Sequence, residues 1–152
     1  MRRAAWEGFV MSMELYVLSD RKLASIAEWQ AAIDREGFRL KLDEAAEFKA
    51  LDGYLPAHYG TALAGFEVNH WDAQALKRDD PENGDFIKDE AHILAFRWGG
   101  SEHELFDVFA AASAYARATG GWVFDCESGE EMTPDATAEL ARRFEKDLPA
   151  AA

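Results

Sequence analysis

The sequence predicts an α+β protein, a ferredoxin-like sandwich with a mainly antiparallel sheet of about five strands, helices on one face and an additional C-terminal helix. Three observations carry that expectation. Short segments show the period-two apolar pattern of strands, and two S-x-x-E capping boxes each open a helical run. The resulting order is strand-helix-strand, two further strands, then helix-strand-helix, which is two strand-helix-strand halves with material between them.

Leu15-Tyr16-Val17-Leu18, within residues 13–20, is rich in strand formers and apolar on both faces, as a central strand must be. Ser25-Ile26-Ala27-Glu28 has capping-box spacing, and Ile26, Trp29 and Ile33 recur at helical intervals until Gly37 stops the run. Phe38-Arg39-Leu40-Lys41-Leu42-Asp43 alternates apolar and charged residues, the period of a strand with one buried and one wet face. Residues 44–62 are punctuated by Gly53, Pro56 and Gly60 and read as a loop, with a short helix at residues 45–51.

Residues 65–71 and 91–98 carry Phe66, Val68, Ile93, Leu94, Phe96 and Trp98 and read as two more strands. Between them, residues 72–90 hold seven acids and three bases with Pro81, Asn83 and Gly84, which predicts an exposed acidic excursion with little to give a core. Ser101-Glu102-His103-Glu104 is the second capping box. Leu105, Val108, Phe109, Ala112 and Ala116 line one face of its helix, and Gly120 stops it. Trp122-Val123-Phe124 reads as a short strand, and Thr133-Pro134 opens a last amphipathic helix through Leu140, Phe144 and Leu148. With both crossover helices on one sheet face, the other face is left wet, closed by the C-terminal helix, or offered to a partner.

The 152 residues suit one core, and an apolar content of 49% with five tryptophans and ten phenylalanines excludes a disordered chain. Residues 13–149 read as a single domain. Residues 1–12 read as a disordered or over-called N-terminal extension, because Met11 and Met13 stand just ahead of the first strand. Asp and Glu outnumber Lys and Arg by 29 to 16, for a net charge of −13. Such a field repels phosphate backbones and anionic membranes, so neither nucleic acid nor membrane is an expected partner, whereas a basic protein would be steered in. A surface that is acidic only for solubility accounts for the same charge. A single cysteine, Cys126, forbids an intrachain disulfide, and with no signal-peptide pattern or long apolar run the expected location is cytoplasmic.

No motif declares a reaction. The glycine pairs lack phosphate-loop spacing, and Gly99-Gly100 ahead of a helix is an ordinary turn before it is an anion site. Asp79, Asn83, Gly84, Asp85 and Glu90 fall at positions 1, 5, 6, 7 and 12 of a calcium loop, but Pro81 at position 3 removes a needed carboxylate, so no metal is expected. The four histidines show no ligand spacing, and the acids beside Cys126 disfavour a thiolate. Glu67, His70 and Arg97, with Asn69 and Asp125, form the one polar collection neighbouring strands could offer a ligand, and cross-strand pairing explains it equally well. Trp98 and Trp122 read as core. Tyr54, Tyr59 and Trp71, in or beside the irregular middle, read as interface anchors.

The stretch Ala118-Thr119-Gly120-Gly121-Trp122-Val123-Phe124-Asp125, with Gly129 after it, resembles the closing segment of many small, uncharacterised bacterial proteins, some of which look like immunity proteins of polymorphic toxin systems. The resemblance implies a compact protein that occludes a cognate partner, and it carries over no catalytic residue and no cofactor. The expected function is therefore an acidic protein-binding module using Tyr54, Tyr59, Trp71, Asp79, Asp80, Glu82 and Asp85 against a basic partner. A small-molecule-binding regulatory domain, or an enzyme, using Glu67, His70 and Arg97 is the alternative. A homodimer through the open sheet face is compatible with either.

Overall fold

The structure is a computed structural model and describes residues 12–148. The expected N-terminal extension lies outside the described residues except for Ser12. Seven strands form one open, wholly antiparallel sheet in the order β2-β3-β4-β5-β1-β6-β7. They are β1 (Met13–Ser19), β2 (Leu40–Leu42), β3 (Asp52–Tyr59), β4 (Ala62–Asp72), β5 (His92–Trp98), β6 (Trp122–Asp125) and β7 (Glu130–Met132). The helices are α1 (Ile26–Arg35), α2 (Ala73–Asp79), α3 (Glu102–Thr119) and α4 (Pro134–Lys146). None of them is long and apolar enough to cross a membrane.

The capping chemistry sets the helix starts. Ser25 accepts the Glu28 amide, Ser101 and Glu104 exchange both bonds of a capping box, and Thr133 accepts the Ala136 amide with Pro134 at the first helical turn. At the end of α3, Gly120 adopts φ 73°, the left-handed conformation that favours glycine. Gly121 is required for a different reason. A Cβ there would lie 2.2 Å from the Leu18 carbonyl oxygen, so only glycine lets the chain return against β1 as β6.

The sheet separates two cores. On one face, Leu15, Val17, Leu55, Phe66, Val68, Leu94, Phe96 and Val123 pack beneath α1 and α3, with Trp29 at the centre. Trp29 is fully buried, touches Phe48, Phe96 and Tyr115 edge-on, and donates its indole N–H to the Ala111 carbonyl at 2.9 Å. The C-terminal helix lies against α3 through Ala138, Ala141 and the Phe109–Phe144 ring pair, so it does not close the other face. A second, smaller cluster of Tyr16, Leu18, Ile93, Ala95, Phe86 and Ile87 lies on that other face.

Two expectations are corrected. Residues 44–62 are not a loop with a local helix. They contain β3 after a single 3-10 turn at Phe48–Ala50. The punctuating residues misled because each is compatible with the strand. Gly60 makes the hairpin turn to β4 at φ 61°. Pro56 sits where pairing with β2 runs out, its carbonyl accepting the Asp43 amide at 3.0 Å. With β7, this brings the sheet to seven strands rather than about five. Nor is the 72–90 excursion without core. Asp72 caps α2, and Phe86 and Ile87 fold back under the acidic surface to cover β1, β5 and β6.

Candidate functional site

The second face of the sheet is covered over only part of its width. Strand alternation places Glu14, Tyr16 and Leu18 of β1, Arg97, Ala95 and Ile93 of β5, and Glu67, Asn69 and Trp71 of β4 on this face, in register. Phe86 stacks on Phe124 with centroids 4.2 Å apart, and Tyr16 meets Trp71 edge-on at 5.3 Å, sealing the β4–β6 side. On the β3–β4 hairpin none of the described elements packs over the face. Here Tyr54 opposes Glu67, Pro56 opposes Gly65 and His58 opposes Leu63. Tyr54 is 60% exposed and Leu63 77%, and among the described residues these are the large apolar side chains left in solvent. The Tyr54 ring lies over Gly65, where a Cβ would stand 2.3 Å from the Leu55 carbonyl oxygen and 2.7 Å from the phenol oxygen, so only glycine admits both.

A row of alternating charge runs from this hairpin across the sheet. Tyr54, Glu67, Arg97 and Glu14 are successive cross-strand partners on β3, β4, β5 and β1. Arg97 Nε lies 4.0 Å from Glu14, and Glu14 in turn accepts the Tyr16 hydroxyl at 2.8 Å. With two carboxylates to one guanidinium, the row carries a net negative charge. Burial first, then the neighbouring Cys126 and Glu14, pushes the Tyr16 phenol far above its ordinary range. A cavity of about 60 Å³ opens between the row and the covered region, lined by Glu14, Tyr16, Asn69, Trp71 and Arg97 among others. Cys126 is packed against the same cluster, and burial pushes its thiol up to about 12, so it is no nucleophile at neutral pH.

The residues singled out from the sequence are distributed as follows. Glu67 and Arg97 are cross-strand neighbours, but His70 points to the opposite face, where its Nε2 bonds the Phe48 carbonyl at 2.9 Å and its ring meets Phe48 edge-on. The three therefore do not form one patch, because adjacent positions on a strand alternate faces. Tyr59 is 6% exposed and belongs to the helix-side core, its hydroxyl donating to Glu145 at 3.0 Å. Trp71 is half-buried at the edge of the second core. Asp79, Glu82 and Asp85 are exposed, and Asp80 is half-buried with its carboxylate accepting from Asn83. Trp98 is core, whereas Trp122 is half-buried on the second face and donates to Glu90 at 2.9 Å.

In the would-be calcium loop, Asp79 closes α2 and Glu90 is occupied by Trp122 and the Lys88 amide. Among the described residues no group of three or more His, Cys, Asp or Glu is placed to hold a metal.

One titratable group escaped the sequence reading. Asp107 on α3 is fully buried, and neither carboxylate oxygen has a hydrogen-bond partner. Burial, with Glu104 one turn before it, pushes this acid from 3.8 up to about 8. The sequence held a signal in principle, since Asp107 falls in an otherwise apolar stretch between Phe106 and Val108. The chain matches no protein-family model, no curated protein and no solved structure.

Proposed function

We propose that this protein is an acidic protein-binding module of the inhibitor or immunity type, which holds a basic partner on the uncovered half of its second sheet face. The observation that carries the reading is the exposure of both Tyr54 and Leu63 on adjacent strands of a regular hairpin, with the negative row through Glu67 and Glu14 beside Tyr54. Aromatic and aliphatic anchors framed by charge suit a protein interface, since the anchors supply affinity and the charge supplies orientation and encounter rate. The exposed acids Asp79, Glu82 and Asp85 extend the negative surface on the excursion. Both sides of the patch are held by the sheet, so binding would cost little ordering. The order β6-β1-β5-β4, with α1 and α3 as the connecting helices, supports a ferredoxin-like centre to which the β2–β3 pair, β7 and α4 are added.

The test is capture of the partner by the tagged protein at low and high salt, with two variants run in parallel. A single stoichiometric basic protein, released by salt and lost both with Tyr54→Ala/Leu63→Ser and with Glu67→Lys, is the expected outcome. Undiminished capture by the Tyr54→Ala/Leu63→Ser variant would move the interface elsewhere, and no protein bound at either salt would end the reading.

A further inference from the structure

A second concave site lies at the end of the sheet where β4, β5 and the β1–α1 connection meet. It is a cleft of about 440 Å³ lined by Lys22, His70, Trp71, Asp72, Gln74, Ala91 and His92, within the range of small-ligand sites. His92 opposes Asp72 across the β4–β5 ladder and Ser19 across the β1–β5 ladder, and Lys22 follows β1 from the same end of the sheet. The cleft's polar groups are not equally available. Asp72 accepts the Ala75 amide as the cap of α2, and the Gln74 side chain donates to the Lys88 and Glu90 carbonyls. His70 Nε2 is held by the Phe48 carbonyl, which makes that nitrogen the donor and leaves Nδ1 with the lone pair. Lys22 and His92 make no hydrogen bond or ion pair among the described residues.

We infer that this cleft is a binding site for a small oxyanion, a carboxylate or a phosphate, held by the Lys22 ammonium and the His92 imidazole with His70 as the third nitrogen. In a chain of net charge −13, this cleft brings a lysine and two imidazoles together, with the carboxylate in its lining, Asp72, engaged as the cap of α2. A charge-assisted bond from each would outweigh the adverse field only when both are desolvated by a ligand that fills the cleft. The groups that face His92 are Lys22, which disfavours its protonation, and Asp72 and Asp20, which favour it. His70 faces Lys22 and His92, and burial is the largest influence on both rings and keeps them neutral at pH 7. An oxyanion would reverse that balance, so binding takes up a proton and tightens as pH falls. The site shares no lining residue with the Tyr54–Leu63 surface, which lies on the β3–β4 hairpin.

The test is an NMR titration of the histidine side chains of the intact protein. Acetate, whose charge is constant from pH 6 to 8, is one probe and inorganic phosphate the other, both at fixed ionic strength against chloride. The inference expects saturable shifts of His70 and His92, affinity that rises on going from pH 8 to 6, and a loss of roughly tenfold in affinity with Lys22→Ala, as removal of one charge-assisted bond implies. His92→Gln should abolish most of the pH dependence. Saturation by phosphate alone identifies a phosphoryl ligand, and by acetate alone a carboxylate. Neither probe shifting either histidine, or Lys22→Ala binding as the wild type does, would overturn the site.

Discussion

The two faces of the sheet carry comparable aromatic density yet serve different ends. On the helix side, Trp29, Phe66, Phe96, Phe106 and Tyr115 are all at or below 1% exposure beneath α1 and α3. The second side is closed only where Phe86 and Ile87 reach it, and its remaining area carries Tyr54 and Leu63 in solvent beside a charged row. Enclosure is what turns an apolar side chain into stability, because the energy comes from area removed from water and from close packing. The contrast teaches that this sheet is stabilised mainly from one face, while the other is packed over only part of its width.

That contrast can be broken or sharpened by substitution, starting with the largest effect. Trp29→Ala should cost about 4 kcal/mol, because it leaves a large cavity and frees the Ala111 carbonyl, read as a fall in the denaturation midpoint. The buried acid on the same side should act through pH. Because the Asp107 pKa is raised on folding, the unfolded chain ionises first, and stability falls as pH rises from about 4 towards about 8. Asp107→Asn keeps the shape of the neutral acid and removes that loss. The variant should match wild type near pH 4 and exceed it by roughly 5 kcal/mol at pH 8 in parallel melts. Wild-type and variant profiles that run parallel over that range would show that Asp107 is ionised in the fold.

On the second face, Phe86→Ala should cost about 2 kcal/mol, less than Trp29→Ala, since its stack on Phe124 lies in a thinner and partly open layer. Equal costs for the two would erase the distinction between the faces. Smallest of all, Tyr54→Ala and Leu63→Ser should each stay within about 0.5 kcal/mol of wild type by chemical denaturation, the range of exposed positions, while removing partner capture.

Much of the fold could be read without coordinates because the signals were local. The capping boxes at Ser25 and Ser101, the Thr133-Pro134 start and the Gly120 stop each act through atoms within a few residues of one another. The missed strand β3 shows where such reading fails. Leu55, Ala57 and Tyr59 do alternate inward, but Gly53, Pro56 and Gly60 carry the same letters whether they break a strand or bound one. Only the pairing of β3 with β4 distinguishes the two cases. The excursion misled in a similar way, since its seven acids gave no indication that Phe86 would be buried against Phe124, 38 positions further along the chain (124 − 86).

For the surface, sequence alone determined the negative charge, the lack of a disulfide and the presence of more aromatic residues than an exposed surface needs. Tertiary structure decided which of those aromatics are free. It buried Tyr59 and left Tyr54 out, although both lie on one strand, because five residues of separation put them on opposite faces. It also parted His70 from Glu67 and Arg97 and set it beside Lys22 and His92. Charge and capping are properties of residues and their near neighbours. Exposure and convergence depend on which strands pair and what packs above them, and those are settled only when the whole sheet is assembled.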